Sequence, residues 1–168
     1  ARMRWFREAR FGMFVHWGLY SGLAGTWDGK AVGKSGGMEW IQNYVKADTA
    51  TYAEKAIPLF KPAPGFAAAW AKLAKAAGCR YVVFTTKHHD GFLLWPSPQP
   101  NPFIPGYHAE RDLVGEFMQA VRGQGLTAAL YQYAVAVHCT WLLPCQNTDP
   151  KRSCHPGSRY RFVPAQLP

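Results

Sequence analysis

Residues 81–92 have the sequence YVVFTTKHHDGF, in which an apolar, β-branched and aromatic run ends abruptly at charged and imidazole side chains. The run at residues 81–86 predicts a strand buried on both faces, as strands of parallel sheets are. The polar residues 87–90 would then lie at the carboxyl end of that strand, where ligands bind in α/β folds. Such groups are costly to bury unless they are paired or used, so this cluster is a candidate functional site.

An amphipathic helix is predicted just before this strand, at residues 66–77. Phe66, Trp70, Leu73 and Ala77 recur at a spacing that places them on one helical face. Gly78 follows and is expected to end the helix, because glycine readily adopts the left-handed conformation found there.

A second helix and two more strands extend the pattern. Asp112 is expected to cap a helix that stops near Gly123 and Gly125, and its apolar face would contain Leu113, Phe117, Ala120 and Val121. Residues 126–133 are predicted to form a strand, and residues 11–15 form the first strand of the chain.

The segments between these elements are predicted to be mostly irregular. Residues 22–37 are rich in glycine and read as a loop, and residues 38–45 as a short helix. Pro58, Pro62 and Pro64 interrupt regular structure, and the five prolines within residues 96–106 exclude it there.

Strands that alternate with amphipathic helices predict βαβ crossovers and a parallel sheet, so the fold class is α/β. Long loops after the strands favour an incomplete (β/α)8 TIM-type barrel, of which the chain carries the first three strands and their helices. A doubly wound sheet is the competing architecture, although no G-x-G-x-x-G motif follows the first strand. A complete barrel needs about 250 residues. We therefore expect residues 1–134 to be the amino-terminal part of a barrel and residues 135–168 to be an unrelated, irregular tail.

Composition limits the classes of partner. The formal charge of +9 comes from 19 basic and 10 acidic residues, but the basic residues are scattered and no nucleic-acid-binding motif accompanies them. We expect no nucleic-acid partner. No apolar run of membrane-spanning length and no signal-peptide pattern is present, so we expect no membrane insertion. The chain begins at Ala1, and we expect its natural amino terminus to lie further upstream.

The four cysteines do not form a metal-binding pattern. Cys79 abuts a predicted strand and is expected to be a small buried residue. Cys139, Cys145 and Cys154 have the spacing C-x5-C-x8-C-H, which matches no common zinc motif. We expect no metal and no cofactor.

Each predicted strand ends in polar or aromatic groups that a parallel sheet would bring together. The first delivers His16 and Trp17, the second His88 and His89, and the third Tyr131, with Gln132 and Tyr133 after it. Neutral imidazoles donate and accept hydrogen bonds and an indole covers the apolar face of a sugar, so the set suits a polyhydroxylated ligand. A zinc or iron site at His88, His89 and Asp90 is the other interpretation. Neighbouring strand residues point to opposite faces, so both histidines could chelate only if the strand has ended.

Several stretches together resemble glycoside hydrolase family 29, the α-L-fucosidases. The matching segments lie in order within residues 2–133: WF and FGMFVHWGLYS near the start, EW at 39–40, KHHDGF and LWPS at 87–97, RDLV at 111–114, and ALY at 129–131. The motif KHHDGF is long and is far more specific than a short pattern. The chain is thereby identified as a member of this family.

The resemblance implies a retaining exo-glycosidase that releases terminal α-L-fucose from oligosaccharides or glycoproteins without a metal. It implies that fucose is held by six residues: His16, Glu39, Trp40, His88, His89 and Tyr131. Lys87 and Asp90 would support the site. It also implies a secreted or lysosomal protein.

The family's catalytic carboxylates are expected on later strands, so no catalytic nucleophile or acid/base is assigned in this chain and the isolated chain is expected to be inactive. Gln132 and Tyr133 also depart from the family's Tyr-x-Ser pattern. Two alternatives remain open: a non-catalytic fucose-binding or carbohydrate-binding fragment, and a metal-dependent barrel hydrolase.

Overall fold

The computed structural model describes residues 3–32, 37–99, 101 and 104–133. Its strands are β1 Gly12–Val15, β2 Thr26–Trp27, β3 Lys30–Ala31, β4 Tyr81–Lys87 and β5 Thr127–Gln132. Its α-helices are α1 Arg4–Ala9, α2 Leu19–Leu23, α3 Ile41–Tyr44, α4 Thr49–Ala56, α5 Phe66–Ala76 and α6 Leu113–Gly123. Short 3-10 turns occupy Met38–Trp40 and Ile57–Leu59.

The main sheet has three parallel strands in the order β1-β4-β5. The central strand β4 carries the decisive segment, and its residues 82–86 are all buried. Tyr81 is in register with Gly12 on one side and with Thr127 on the other, so the three strands end at one edge. The predicted α/β class with a parallel sheet is therefore confirmed, and the predicted strand limits agree with the structure to within one residue at each end.

Helices α5 and α6 pack against each other and cover one face of this sheet. Phe84 stacks on Phe117 of α6 with ring centroids 4.2 Å apart, and Trp17 contacts both Phe84 and Trp70 of α5. The other face is more open: Phe14, in register with Val83, is 46% exposed. The hydrophobic core therefore lies between the sheet and its two helices.

The predicted apolar face of α5 is partly wrong. Phe66 is buried and Trp70 is half-buried, but Leu73 is 62% exposed and Ala77 is exposed as well. The buried positions of the helix are instead Phe66, Ala67, Ala71 and Ala74. Small alanine side chains let neighbouring elements approach closely, so packing selects the alanine stripe and leaves the larger leucine outside.

The prediction of an unbroken loop at residues 22–37 is also wrong. It contains the end of α2 and the antiparallel hairpin of β2 and β3. Asp28 and Gly29 form the hairpin turn with φ values of 50° and 74°, as a two-residue turn of this kind requires. Helices α1 and α4 were not predicted. Helix α4 follows its cap residue Asp48 and ends at Ala56, before Pro58.

The predicted helix ends are confirmed. Gly78 follows α5 with a φ of 81°, and the Cys79 N–H donates to the Ala74 carbonyl over 3.0 Å. Cys79 is buried, as expected. Asp112 caps α6, and its Oδ1 accepts a hydrogen bond of 2.8 Å from the Gly115 N–H.

Loss of the α6 cap is expected to cost measurable stability. Asp112→Ala removes the acceptor for an otherwise free backbone N–H and should lower the free energy of unfolding by about 1 kcal/mol. Urea denaturation followed by circular dichroism checks this value. Asp112→Ser keeps a capping oxygen and serves as the control. An alanine variant as stable as the serine variant would contradict the capping role.

Within the described residues, no helix is both long enough and apolar enough to cross a membrane. The predicted boundary at residue 134, the tail 135–168 and the three cysteines in that tail lie outside the described residues. The two-domain division therefore stays a prediction.

Candidate functional site

The carboxyl edge of the parallel sheet brings together a cluster of aromatic and imidazole rings. His16 follows β1, His88 follows β4, and Tyr131 lies near the end of β5. The ring centroids are 5.4 Å apart for His16 and His88, 5.7 Å for His88 and Tyr131, and 6.1 Å for His16 and Tyr131. The three strand ends therefore converge in the way the sequence predicts.

Glu39 and Trp40 reach the same cluster from the 3-10 turn Met38–Trp40. The Trp40 ring lies 3.7 Å from the His89 ring, centroid to centroid. The Glu39 carboxylate folds back over Gly37, where a side chain on that glycine would overlap both carboxylate oxygens. Glu39 precedes Trp40 in this turn, and its charge opposes the lowering of the pKa of His89. All six residues predicted to hold a ligand thus lie in one place.

The two adjacent histidines sit in a turn rather than on the strand. Strand β4 ends at Lys87, so the alternation that would separate neighbouring side chains no longer applies. The turn is closed by the Gly91 N–H, which donates to the His88 carbonyl over 3.1 Å, and Gly91 has a φ of 79°. The His88 and His89 rings are 4.4 Å apart. Asp90 and Gly91 form the predicted turn out of the strand.

A backbone hydrogen bond fixes the tautomer of His88. The His89 N–H donates to His88 Nδ1 over 2.9 Å, so in the neutral ring the proton resides on Nε2. Burial, and then the nearby His16, lower the pKa of His88 to about 4. Near neutral pH His88 therefore offers one N–H donor, Nε2, to a ligand.

His89 is held neutral in a similar way but keeps a free ring atom. Burial lowers its pKa to about 4, with a smaller contribution from His88 that Glu39 partly offsets. Its Nδ1 is buried and has no hydrogen-bond partner among the residues that the structure describes. A ligand hydroxyl that reaches this atom would satisfy a buried polar group, which favours binding.

Histidine NMR tests these two assignments directly. We expect both rings to stay neutral down to about pH 5, with titration midpoints near 4, because burial disfavours the charged form. We expect His88 to show the Nε2–H tautomer in long-range nitrogen–proton spectra. Midpoints near the ordinary value of 6.5 would contradict the buried geometry.

Asp90 lies beneath this turn and faces inward. Its side chain is only 2% exposed; Oδ1 accepts from the Phe92 N–H over 3.1 Å and Oδ2 from the Tyr52 hydroxyl over 3.5 Å. Burial raises the pKa of Asp90 to about 7. Its contacts hold the turn that carries the two histidines, and its carboxyl is enclosed by protein.

Trp17 does not belong to the cluster, contrary to the sequence prediction. Its ring packs into the core against Phe60 and Phe66, at 5.0 and 4.7 Å. Trp17 is two residues after Val15, and both lie on the sheet face that the helices cover, whereas Phe14 and His16 lie on the open face.

Two further tyrosines join the cluster: Tyr133, which the sequence analysis placed at the third strand end, and Tyr20, which it did not assign to the cluster. Tyr133 stacks on His88 with centroids 5.9 Å apart and meets the His89 ring edge-on at 4.0 Å. Tyr20 contacts the His88 ring edge-on at 5.8 Å. Tyr133 is the last residue of the predicted third strand, and this position is the signal that places it in the cluster. Tyr20 lies in an unpredicted helix, and its sequence carries no such signal.

The cluster is chemically suited to a polyol. It presents neutral imidazoles, a phenol, a carboxylate and an indole, which together donate, accept and cover an apolar ring face. In the part of the chain that the structure describes, no three histidine, cysteine, aspartate or glutamate side chains are grouped so as to hold a metal ion.

Comparison with known proteins gives a consistent family. The sequence model of the family described as alpha-L-fucosidase matches residues 1–165. The tissue alpha-L-fucosidase of Mus musculus is 37% identical over 165 residues, which cover 88% of this chain and 32% of that protein. The corresponding protein of Rattus norvegicus is 42% identical over 146 residues, covering 76% and 29%. The chain spans about a third of the length of these relatives.

Comparison with solved structures gives the same family as the sequence comparison. An alpha-L-fucosidase of glycoside hydrolase family 29 from Bacteroides thetaiotaomicron has a TM-score of 0.70 and 34% identity, over 81% of this chain and 30% of that one. The alpha-L-fucosidase AlfC from Lactobacillus casei, solved in complex with its alpha-L-fucose product, has a TM-score of 0.67 and 36% identity, over 80% and 41%.

Proposed function

The chain belongs to the alpha-L-fucosidase family, and from this premise we propose that the protein hydrolyses terminal α-L-fucose from glycans with retention of configuration. The observation that carries the proposal is the convergence of six side chains at the carboxyl edge of the sheet: His16, Glu39, Trp40, His88, His89 and Tyr131. In this proposal they form the fucose-binding site.

Each group has a distinct part in holding the sugar. His88 Nε2–H donates to one hydroxyl and the unpartnered His89 Nδ1 accepts from or donates to another, according to its tautomer. The Glu39 carboxylate accepts from a third hydroxyl, and such charge-assisted hydrogen bonds are stronger than neutral ones. The Trp40 indole, packed on His89, covers the apolar face of the ring.

The retaining reaction needs two carboxyl groups about 5–5.5 Å apart on either side of the glycosidic bond. Asp90 cannot be one of these two carboxyl groups, because both of its oxygens accept hydrogen bonds from protein groups beneath the turn. Among the described residues, Glu39 is then the remaining carboxylate of the proposed site, and one carboxylate does not make a reacting pair. We propose that the described residues bind fucose and that the reacting pair lies outside them, so that the isolated chain binds without turnover.

The sheet supports the proposal that the chain forms the first part of a (β/α)8 barrel. Its strand order follows the chain order, and α5 and α6 both cover the same face. A doubly wound sheet would place helices on both faces. The half-exposed Phe14 and the exposed His16 lie on the face that would become the barrel interior.

Family membership also supports proposals on partner and location. The substrate class is a fucosylated oligosaccharide or glycoprotein, and neither a cofactor nor a nucleic acid is required. We place the protein in the secretory or lysosomal compartment.

Calorimetric titration with L-fucose tests the binding site. We expect millimolar or tighter binding by the 168-residue chain and at least a tenfold loss for His88→Ala, since a hydrogen bond made in a buried site is lost. His108→Ala is the matched control, because it removes a histidine outside the six. Absence of binding at millimolar sugar would refute the fucose site, and bound metal in elemental analysis would favour a metal-dependent hydrolase. Cleavage of an aryl α-L-fucoside by the pure chain, abolished by His88→Ala, would overturn the expected lack of turnover.

A further inference from the structure

Tyr20 lies directly beneath the proposed sugar site. It is the second residue of α2 and is only 4% exposed, and its ring meets the His88 ring edge-on. A side chain on Gly18 would come within 2.8 Å of the Tyr20 ring, so this glycine leaves room for the ring where the chain leaves β1. The local backbone is thus shaped around Tyr20.

The hydroxyl of Tyr20 is unusual for a buried residue. It is inaccessible to solvent and has no hydrogen-bond partner among the described residues. Burial raises the pKa of Tyr20 far above its ordinary value, with further contributions from Asp90, Glu39 and Tyr131, so the phenol keeps its proton. A buried donor without an acceptor is unfavourable, so this hydroxyl does not stabilise the chain in the form described here.

The neighbours of Tyr20 indicate which acceptor it serves. Both oxygens of Asp90 already accept hydrogen bonds, from the Phe92 N–H and the Tyr52 hydroxyl. The Glu39 carboxylate is only half-buried and folds back over Gly37 at the end of a side chain with rotatable bonds. Helix α2, which carries Tyr20, packs against the 3-10 turn that carries Glu39, so Glu39 is the anion that can move to meet the phenol.

We propose that Tyr20 is a positioning residue of the sugar site: its ring supports His88, and its hydroxyl donates a hydrogen bond to Glu39 when the sugar is bound. This inference rests on the proposed function. The bond orients one Glu39 oxygen while the other accepts from the ligand. The hydroxyl would then contribute to sugar affinity and contribute nothing to the stability of the unliganded chain.

Tyr20→Phe separates these two contributions because it removes one oxygen and keeps the ring. We expect its melting temperature to equal or exceed that of the wild type, and its dissociation constant for L-fucose to rise at least fivefold. Tyr107→Phe is the matched control: Tyr107 is also buried with an unpartnered hydroxyl, but it packs on Phe92. We expect this control to change fucose affinity less than twofold.

A double-mutant cycle identifies the acceptor. In a Glu39→Ala background, Tyr20→Phe is expected to change the dissociation constant less than twofold, because no acceptor oxygen remains at residue 39. Wild-type affinity in Tyr20→Phe would overturn the inference and leave the proposed function intact, as would a full fivefold effect in the Glu39→Ala background. A Tyr20→Phe variant that unfolds would overturn it too, because the hydroxyl would then be structural. Failure of the wild-type chain to bind fucose would refute the proposed function and this inference with it.

Discussion

Replacing Phe84 with alanine is expected to lower the free energy of unfolding by about 3–5 kcal/mol. Phe84 is fully buried in the central strand β4, stacked on Phe117 at 4.2 Å with the ring planes 12° apart. Truncation removes the contacts between the sheet and α6 and leaves a cavity that the parallel strands on either side cannot easily close. Urea denaturation followed by tryptophan fluorescence measures the loss.

Two apolar residues that are exposed provide the controls for this prediction. Phe11→Ala removes the same side chain from a position that is 57% exposed, and Leu73→Ala truncates a residue that is 62% exposed. Both are expected to change stability by about 0.5 kcal/mol or less. If Phe84→Ala cost no more than Phe11→Ala, the core would not lie between β4 and α6.

The difference between Phe84 and Leu73 shows what the sequence could predict about the fold. A strand buried on both faces has a local signature, a continuous apolar run, and caps such as Asp112 are local too. By contrast, the local sequence does not determine which face of α5 is buried. Its sequence holds a large-residue stripe and an alanine stripe, and only the approach of α6 determines which is buried.

The site likewise contains residues whose position the sequence could predict and residues whose position it could not. His16, His88 and Tyr131 could be predicted to meet because the carboxyl ends of parallel strands share one edge. The prediction that Trp17 lies in the cluster is wrong because side-chain alternation continues past the end of β1. Its indole therefore points toward the helices. Glu39 lies in a segment outside the sheet, so the order and direction of the strands could not predict its position. Only the family resemblance suggested it.

Asp90 is expected to make the chain less stable as pH rises, and Asp90→Asn should remove this effect. Burial raises the pKa of the folded carboxyl from 3.8 to about 7, so the folded state holds a proton that the unfolded state has released. Stability from this group is complete below pH 3.8 and is lost as pH rises through about 7. The stability of Asp90→Asn relative to the wild type should therefore increase by about 2–3 kcal/mol between pH 5 and pH 8.

The comparison isolates Asp90 because the other buried titrating groups are present in both proteins. His88 and His89 act in the opposite direction, since their folded pKa values of about 4 make stability rise with pH up to their ordinary value of 6.5, and this contribution cancels in the difference. Asp48→Asn is the matched control: hydrogen bonds from Thr51 hold the pKa of exposed Asp48 below 3.8, so it is ionised throughout this pH range. Urea denaturation at each pH gives the difference for both variants. Parallel curves for the wild type and Asp90→Asn would mean that Asp90 is solvated, and the turn that carries the two histidines would then rest on other contacts.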